Sequence, residues 1–255
     1  MKQGKVVIVM PAYFAAKTIL KTFRDISKKL RIEKNIILVD DASGDETVEI
    51  AKKLGIRVFV HKSNLGYGGN QKTCYEQALK LNPEIVVLIH PDYQYDSSLT
   101  EELIRPIKDG WLDVMLGNRI RTRQEALEGG MPIYKYFGNR LLTIIENIVM
   151  GLNLGEYHTG FRAYRRKVLE RVPFKKFSNG FVFDQEILIS SAYSGFKIGD
   201  IPVPVRYFSE ASSINFIKSV QYGIITILTL LKYIFDKFGI FSFTIFDHKQ
   251  IVKNK

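Results

Sequence analysis

Cysteine is nearly missing from this chain of 255 residues: Cys74 stands alone. No internal disulfide and no cysteine-built metal cluster can form from it. Tryptophan also occurs once, as Trp111. Acidic residues are in the minority, 26 Asp and Glu against 37 Lys and Arg, giving a formal net charge of +11. That excess implies attraction to polyanions: nucleic acid, anionic membrane or phosphorylated substrates. No helix-turn-helix, zinc-finger or RNA-binding signature accompanies it, so nucleic acid is not an expected partner. Internal repeats and low-complexity segments are also lacking. The start, Met1 to Val9, holds only a short apolar stretch and resembles a first strand more than a signal peptide, so a cytoplasmic location is expected.

What is present is a strand–helix alternation. Apolar runs predict strands over Lys5–Met10, Asn35–Val39, Ile56–Val60, Glu84–Ile89 and Asp113–Leu116, separated by helices over Ala16–Leu30, Glu46–Leu54, Asn70–Leu81 and Leu99–Lys108. Ser43-Gly-Asp-Glu46 has capping-box spacing for the second helix. Such units imply an α/β fold, a mostly parallel central sheet with helices on both faces and its strand-to-helix loops on one edge. Further on, Arg119–Gly130 is expected to be a mobile loop, Ile133–Met150 a helix, Gly160–Tyr164 a short strand, Asp184–Ser194 a helix, and Phe196–Val205 extended because of Pro202 and Pro204.

A C-terminal amphipathic helix is predicted over Ile214–Phe238. Its polar positions Lys218, Tyr222, Thr226, Thr229, Lys232 and Asp236 form one narrow stripe. The uncharged core, Ser219 to Leu231, is shorter than the ~20 residues of a spanning helix. The helix should therefore pack on the protein or lie in a membrane interface. Phe235, Phe238, Phe241, Phe243 and Phe246, with Lys249, Lys253 and Lys255, suit an interfacial anchor; completion of the core or a dimer contact is the alternative.

Four loops are expected at the ligand-binding edge. The first, Pro11-Ala-Tyr-Phe14, lacks the glycine fingerprint of a dinucleotide fold, and Tyr13 could stack on a base or merely cap the sheet. The second, Asp40-Asp41-Ala-Ser-Gly-Asp45, sets two acids after an apolar strand, where unpaired burial is costly. Hydrogen bonds to a base or ribose account for the pair better than helix capping does. The third, His61 to Asn70, includes Asn64, Gly66, Gly68 and Gly69. Its glycines allow close backbone approach and its helix could offer N–H groups to an anion, or it is a plain turn; it is not a Walker motif. The fourth is His90-Pro-Asp-Tyr-Gln94. Asp92 and Gln94 lie on one side of an extended segment, as a hard divalent cation requires. His90 could bind metal or phosphate, or be a structural donor.

Together these segments, with Thr159-Gly-Phe-Arg-Ala-Tyr164, resemble a family 2 glycosyltransferase of the GT-A fold, nearest in character to the dolichol-phosphate mannosyltransferase-like enzymes. The resemblance spans roughly Lys5 to Tyr233. It implies inverting transfer from a GDP- or UDP-sugar to a polyprenyl phosphate, with a divalent metal, Mn²⁺ or Mg²⁺, on the inner face of the cell membrane. It implies a glycosyltransferase domain over 1–210, its nucleotide-sugar half 1–118 and its acceptor half 119–210, then a helix and tail over 211–255.

By resemblance, Asp40 and Asp41 hold the nucleoside and Pro11 and Tyr13 frame the base, with Asn64 and Gly69 beside the donor. The family's metal motif, Asp-x-Asp followed by Gln, is matched by His90, Asp92 and Gln94, so His90 departs from it; imidazole suits softer ions than Mg²⁺. Arg119 matches an arginine near the acceptor phosphate, and Arg206 a later phosphate-binding arginine. The clusters Arg119-Arg121-Arg123 and Arg162-Arg165-Arg166-Lys167 suit an anionic acceptor or lipid surface, or are solvated faces. A hydroxyl acceptor in a surface glycan or glycolipid would need a general base, for which Asp184 and Glu186 are candidates beside a bland acidic first turn. A phosphate acceptor, second pKa about 6, would not. The Gln-x-x-Arg-Trp motif of processive members is missing, which favours single transfer. A non-catalytic nucleotide-sugar-binding protein is the remaining alternative, motivated by His90.

Overall fold

A computed structural model describes residues 5–31, 35–206 and 216–247. Seven strands form one sheet: β1 (Val6–Ala12), β2 (Ile36–Asp40), β3 (Arg57–Val60), β4 (Ile85–Leu88), β5 (Val114–Asn118), β6 (Arg162–Arg165) and β7 (Ile198–Pro202), in the order β3-β2-β1-β4-β6-β5-β7. All neighbours are parallel except β6, which runs antiparallel to both β4 and β5. Successive side chains point to opposite faces. Val7, Val9, Val86, Leu88, Val114 and Leu116 therefore pack on one face, while Ile8, Met10, Ile85, Val87 and Met115 pack on the other.

This topology places the site. The chain builds outward from β1 to β3, then returns to β4 on the other side of β1. The C-terminal ends of β1 and β4 thus flank a switch point, where open sheets bind ligands. Because β6 is reversed and Arg162 pairs with Leu88 and Leu116, the residues leading into β6 reach that same edge.

The helices are α1 (Ile19–Asp25), α2 (Thr47–Lys53), α3 (Tyr67–Leu79), α4 (Thr100–Lys108), α5 (Arg123–Glu128), α6 (Ile133–Met150), α7 (Arg166–Arg171), α8 (Phe183–Tyr193) and α9 (Phe216–Lys237). Several depart from expectation. The first is shorter because Ile26, in extended backbone, turns into the core. The capping box does not form: Ser43 Oγ accepts from Phe14 N at 2.9 Å, and Asp45 Oδ1 caps Thr47 N at 3.2 Å. The loop expected at Arg119–Gly130 contains α5, capped by Thr122 Oγ1 accepting from Glu125 N. α7 was not anticipated from its basic sequence.

α6 and α9 turn their apolar faces outward. Ile133, Phe137, Leu141, Ile144 and Ile148 make an exposed stripe on α6, whereas Thr143 and Glu146 are buried. On α9, Tyr222, Thr226, Thr229 and Tyr233 face the protein or are buried, while Phe216, Ile217, Val220, Ile224, Leu228 and Leu231 are exposed. The threonines are satisfied within the helix, Thr226 Oγ1 donating to Tyr222 O and Thr229 Oγ1 to Ile225 O, each at 2.9 Å. α9 is the one helix among the described residues long and apolar enough to cross a membrane, a property its short uncharged core did not suggest. The division at residue 210, the helix start at Ile214, and Lys249, Lys253 and Lys255 lie outside the described residues.

Candidate functional site

A cavity of about 730 Å³ opens at this edge. Its polar lining includes His90, Asp92, Gln94, Arg119, Lys135, His158 and Asp184. Its apolar lining includes Leu141 and Leu142 of α6 and Phe216, Val220, Ile224 and Ile227 of α9.

The loop after β4 delivers the motif past a continuous apolar run, as a turn with Tyr93 at φ 59° and not as the extended segment expected. Asp92 Oδ1 accepts from Gln94 N at 3.1 Å, folding the segment so that both side chains line the cavity. His90 stacks on Tyr67, with ring centroids 5.3 Å apart and planes 6° apart, and its Nε2 lies 3.1 Å from the Tyr67 hydroxyl. Burial pushes the His90 imidazole below its usual pKa against the opposing pull of Asp92 and Asp184. Asp92, Gln94 and His90 together offer a carboxylate, an amide oxygen and an imidazole. A divalent ion that keeps several positions for substrate phosphates fits so small a donor set.

Asp184, at the start of α8, is the one member of its acidic pair that faces the cavity. Its Oδ2 accepts from Tyr67 at 2.6 Å, its Oδ1 from Gln71 at 3.1 Å, and Arg162 lies 3.7 Å from it. Glu186 does not belong to the site. Two residues along a helix is about 200°, and its Oε2 instead accepts from Ser178 N at 2.7 Å. Burial raises its pKa. Arg162 is a second correction: it is wholly buried, donating to the carbonyls of Thr159, Asp184 and Tyr157, so it braces Asp184 and reaches no acceptor.

Arg119 lines the cavity and is held by Glu156, a buried acid that also accepts from Arg119 N at 2.6 Å and from Asn139 at 2.9 Å. Burial would raise the Glu156 pKa, but the Arg119 charge and hydrogen bonds outweigh it and hold the carboxyl below its ordinary value. Lys135 of α6 also lines the cavity, and burial together with the Arg119 charge lowers its pKa. Arg206 is not among the lining residues; its guanidinium sits 4.3 Å from the Tyr93 ring and pairs with Asp96 at 3.6 Å.

Several members of the basic clusters are paired with acids. Arg121 pairs with Glu125, Arg165 and Lys167 with Asp113, and Arg166 with Glu170.

The nucleoside-side residues gather at the ends of β1 and β2, outside this cavity. Tyr13 is exposed there and meets Phe14 edge-on. Pro11 pairs in register with Val39, and Asn70 ties the strand ends together by donating to the carbonyls of Ala12 and Val39. Asp40 is buried; Oδ2 accepts from Ser43 N at 2.8 Å and Oδ1 has no hydrogen-bond partner. Asp41 is committed elsewhere, accepting from Leu65 N and Gly66 N and facing His61 Nδ1 at 2.7 Å. Asn64 Oδ1 accepts from Gly66 N, which shapes the turn. The anion site expected at the helix after Gly69 is filled by the chain itself: the Asn179 carbonyl accepts from Gly68 N at 2.7 Å and Gly69 N at 3.4 Å.

Sequence reasoning missed Tyr67, Glu156, Lys135 and His158. Tyr67 and His158 are polar aromatics next to glycine-bearing turns, and Glu156 follows Gly155, but nothing in their spacing marks a site.

Residues 7–172 match the sequence model described as Glycosyl transferase family 2. A dolichyl-phosphate hexose transferase of Haloferax volcanii is 30% identical over 201 residues, covering 78% of this chain and 82% of that protein. A UDP-N-acetylglucosamine–dolichyl-phosphate N-acetylglucosaminyltransferase of Methanococcus voltae is 26% identical over 227 residues, covering 82% and 89%. Among solved structures, glucosyl-3-phosphoglycerate synthase of Mycobacterium tuberculosis, bound to phosphoglyceric acid, superposes with a TM-score of 0.69 at 18% identity, over 90% of this chain and 80% of that one. The same enzyme with Mn²⁺, UDP-glucose and phosphoglyceric acid gives 0.67 at 19% identity, over 90% and 79%. At that identity the likeness speaks for the shared GT-A fold.

Proposed function

The chain belongs to glycosyl transferase family 2 and is a glycosyltransferase; from that premise we propose that it moves a sugar from a nucleotide sugar, with inversion, onto a polyprenyl phosphate at a membrane surface. The observation that carries this reading is that two cations, Arg119 and Lys135, line the same cavity as apolar side chains of α6 and α9. A phosphate head on an apolar tail has the matching combination. The relatives in Haloferax volcanii and Methanococcus voltae carry dolichyl phosphate in their names.

Each residue's task follows from its surroundings. Tyr13 and Pro11 frame the nucleobase, and Asp40, with its unpartnered buried Oδ1, accepts from a base N–H or a ribose hydroxyl. Asp41, Asn64 and the Gly69 turn shape the wall of that subsite. Asp92, with Gln94 and His90, would hold the divalent ion, whose chemistry is to neutralise the diphosphate leaving group. Arg119, oriented by Glu156, and Lys135 attract and align the acceptor phosphate. That phosphate attacks the anomeric carbon as an anion, so no general base is required. Asp184 is poorly disposed as a base because Tyr67 and Gln71 already donate to its oxygens. This favours the phosphate over a hydroxyl acceptor. Arg206 stands at the rim, its backbone N donating to the Gln94 carbonyl.

The outward apolar faces of α6 and α9 support a cavity mouth that meets lipid. Each fully buried side chain of this size is stabilised by ~1.5–3 kcal/mol, so a stripe of five or more is a strong interfacial contact. Attachment is to the inner, cytoplasmic face, where nucleotide sugars are at hand.

The test is sugar transfer from a panel of UDP- and GDP-sugars to a short polyprenyl phosphate, with the matching polyprenol and a soluble glycan as alternatives, in Mn²⁺, Mg²⁺ or EDTA. Transfer to the phosphate alone, lost in EDTA, is expected. Transfer to the polyprenol or glycan would move the reading to a hydroxyl acceptor, and donor binding without turnover would leave a nucleotide-sugar-binding protein.

A further inference from the structure

Tyr67 joins two groups that the reading above keeps apart, the His90 imidazole and the Asp184 carboxylate. Its hydroxyl donates to Asp184 Oδ2 at 2.6 Å and lies 3.1 Å from His90 Nε2. A phenol has one proton. Once that proton is directed to Asp184, the phenolic oxygen can only accept from His90, so Nε2 carries the hydrogen. The neutral ring then has its lone pair on Nδ1.

The packing holds the ring in this pose. Tyr67 lies parallel to it, and Phe181 packs against Tyr67 with centroids 4.8 Å apart. The Cδ2–Nε2 edge lies against Gly160: a Cβ there would stand 2.7 Å from Cδ2 and 3.0 Å from Nε2. The opposite edge, bearing Nδ1, has no hydrogen-bond partner among the described residues, and both His90 and Asp92 line the cavity. Asp92 is also near enough to act on the imidazole electrostatically. A ring whose one nitrogen donates to a fixed acceptor while the other is left open is arranged as metal-binding histidines are.

We propose that Tyr67 is a positioning residue that makes His90 an Nδ1 ligand, and that the site thereby selects a first-row transition ion over Mg²⁺. The selection arises because imidazole nitrogen strengthens binding along the transition series, whereas Mg²⁺ prefers oxygen and its own water. The Asp184–Tyr67–His90 chain sets the tautomer, and outer-shell partners of this kind are worth about 10- to 100-fold in metal affinity. The inference rests on the assignment of the metal to Asp92, and its test separates the two.

The experiment is electron paramagnetic resonance of Mn²⁺ added to the full chain, alone and with UDP or GDP, with free Mn²⁺ giving the affinity and pulsed measurements reporting nitrogen. The wild type is expected to show ¹⁴N coupling that changes on ¹⁵N-histidine labelling, and to retain Mn²⁺ against about 100-fold more Mg²⁺. Tyr67→Phe should weaken Mn²⁺ by about 10-fold or more. Asp184→Asn replaces the charged acceptor, so the tyrosyl proton is held less firmly toward residue 184 and Mn²⁺ binding should weaken in the same direction. Because that change also strips the buried Arg162 of its counter-charge, Tyr67→Phe, which leaves the pair intact, separates the effect from damage to the fold. His90→Asp should remove the ¹⁴N signal and bring Mg²⁺ and Mn²⁺ closer by about 10-fold. Mn²⁺ bound without histidine coupling in the wild type, or Tyr67→Phe and Asp184→Asn both within twofold of it, overturns this inference. No Mn²⁺ bound to the wild type even with nucleotide overturns the assignment of the metal to Asp92 as well.

Discussion

Glu156→Gln is the sharpest probe of how this site is held. The carboxylate is fully buried, and the Arg119 side chain it faces is 15% exposed. Glu156 accepts from Arg119 N at 2.6 Å, from Arg119 Nε at 2.8 Å, from Arg119 Nη2, and from Asn139 at 2.9 Å. Glutamine keeps the shape, but one oxygen becomes an NH₂ facing donors, and the guanidinium loses its counter-charge. Hydrogen bonds to charged groups contribute about 1.5–3 kcal/mol each, and breaking a buried pair costs about 3–5 kcal/mol. A loss of ~3 kcal/mol is therefore expected, a fall in thermal midpoint of about 6–12 °C for a chain of this size.

The pH dependence has a definite sign. Glu156 is held below its ordinary value of 4.5. Its stabilisation is thus fully present above that value and is lost as pH falls through the lower folded pKa. The gap between wild type and variant, followed by circular dichroism melts, should be wide at pH 7 and shrink on acidification below the ordinary carboxyl range. Acceptor kcat/KM should fall by about 10- to 100-fold, corresponding to ~1.4–2.7 kcal/mol of misplaced Arg119. A variant melting within about 2 °C of wild type at pH 7, or a gap that does not narrow in acid, would refute the reasoning.

Asp92→Ala should abolish transfer while leaving the thermal midpoint within about 2 °C, since the residue is partly exposed and outside the core; turnover at the wild-type rate would remove it from the metal site. Gly68→Ala should destabilise by ~1–3 kcal/mol in urea titration, because the added Cβ would lie 2.5 Å from Ser178 O and 2.7 Å from Phe183 Cβ. The paired change Ile144→Glu and Ile224→Glu, both at exposed positions, should leave the melt unchanged and abolish co-flotation with vesicles of anionic lipid; unaltered flotation would place the lipid contact elsewhere.

The local sequence determined the elements and the edge on which ligands meet. Apolar runs such as Ile85–Leu88 and Val114–Leu116 suit buried strands, which carries Asp92, Gln94 and Asp40 to the strand ends, but the antiparallel direction of β6 between those two strands was not legible. The 18-residue helix Ile133–Met150 was legible to the residue, because its bounds are set by Pro132 before it and Gly151 after it. The tertiary structure alone decided which polar groups remain available. Asp40 and Asp41 are adjacent in the chain, yet one keeps an open oxygen and the other is bound to a loop 24 residues on. Asp184 and Glu186 differ because two helical steps turn one to the cavity and the other to Ser178. The Gly68 and Gly69 amides were closed by a carbonyl from Asn179, and Arg162 by carbonyls around it. Nor does helical periodicity say which side of α6 and α9 faces the protein; Thr143 and Glu146 on α6 and Thr226 and Thr229 on α9 turn inward, while Lys218 and Lys232 stay exposed. A sequence pattern fixes which residues share a face, through the repeat of the backbone, but hydrogen-bond partners distant in the chain decide what that face does.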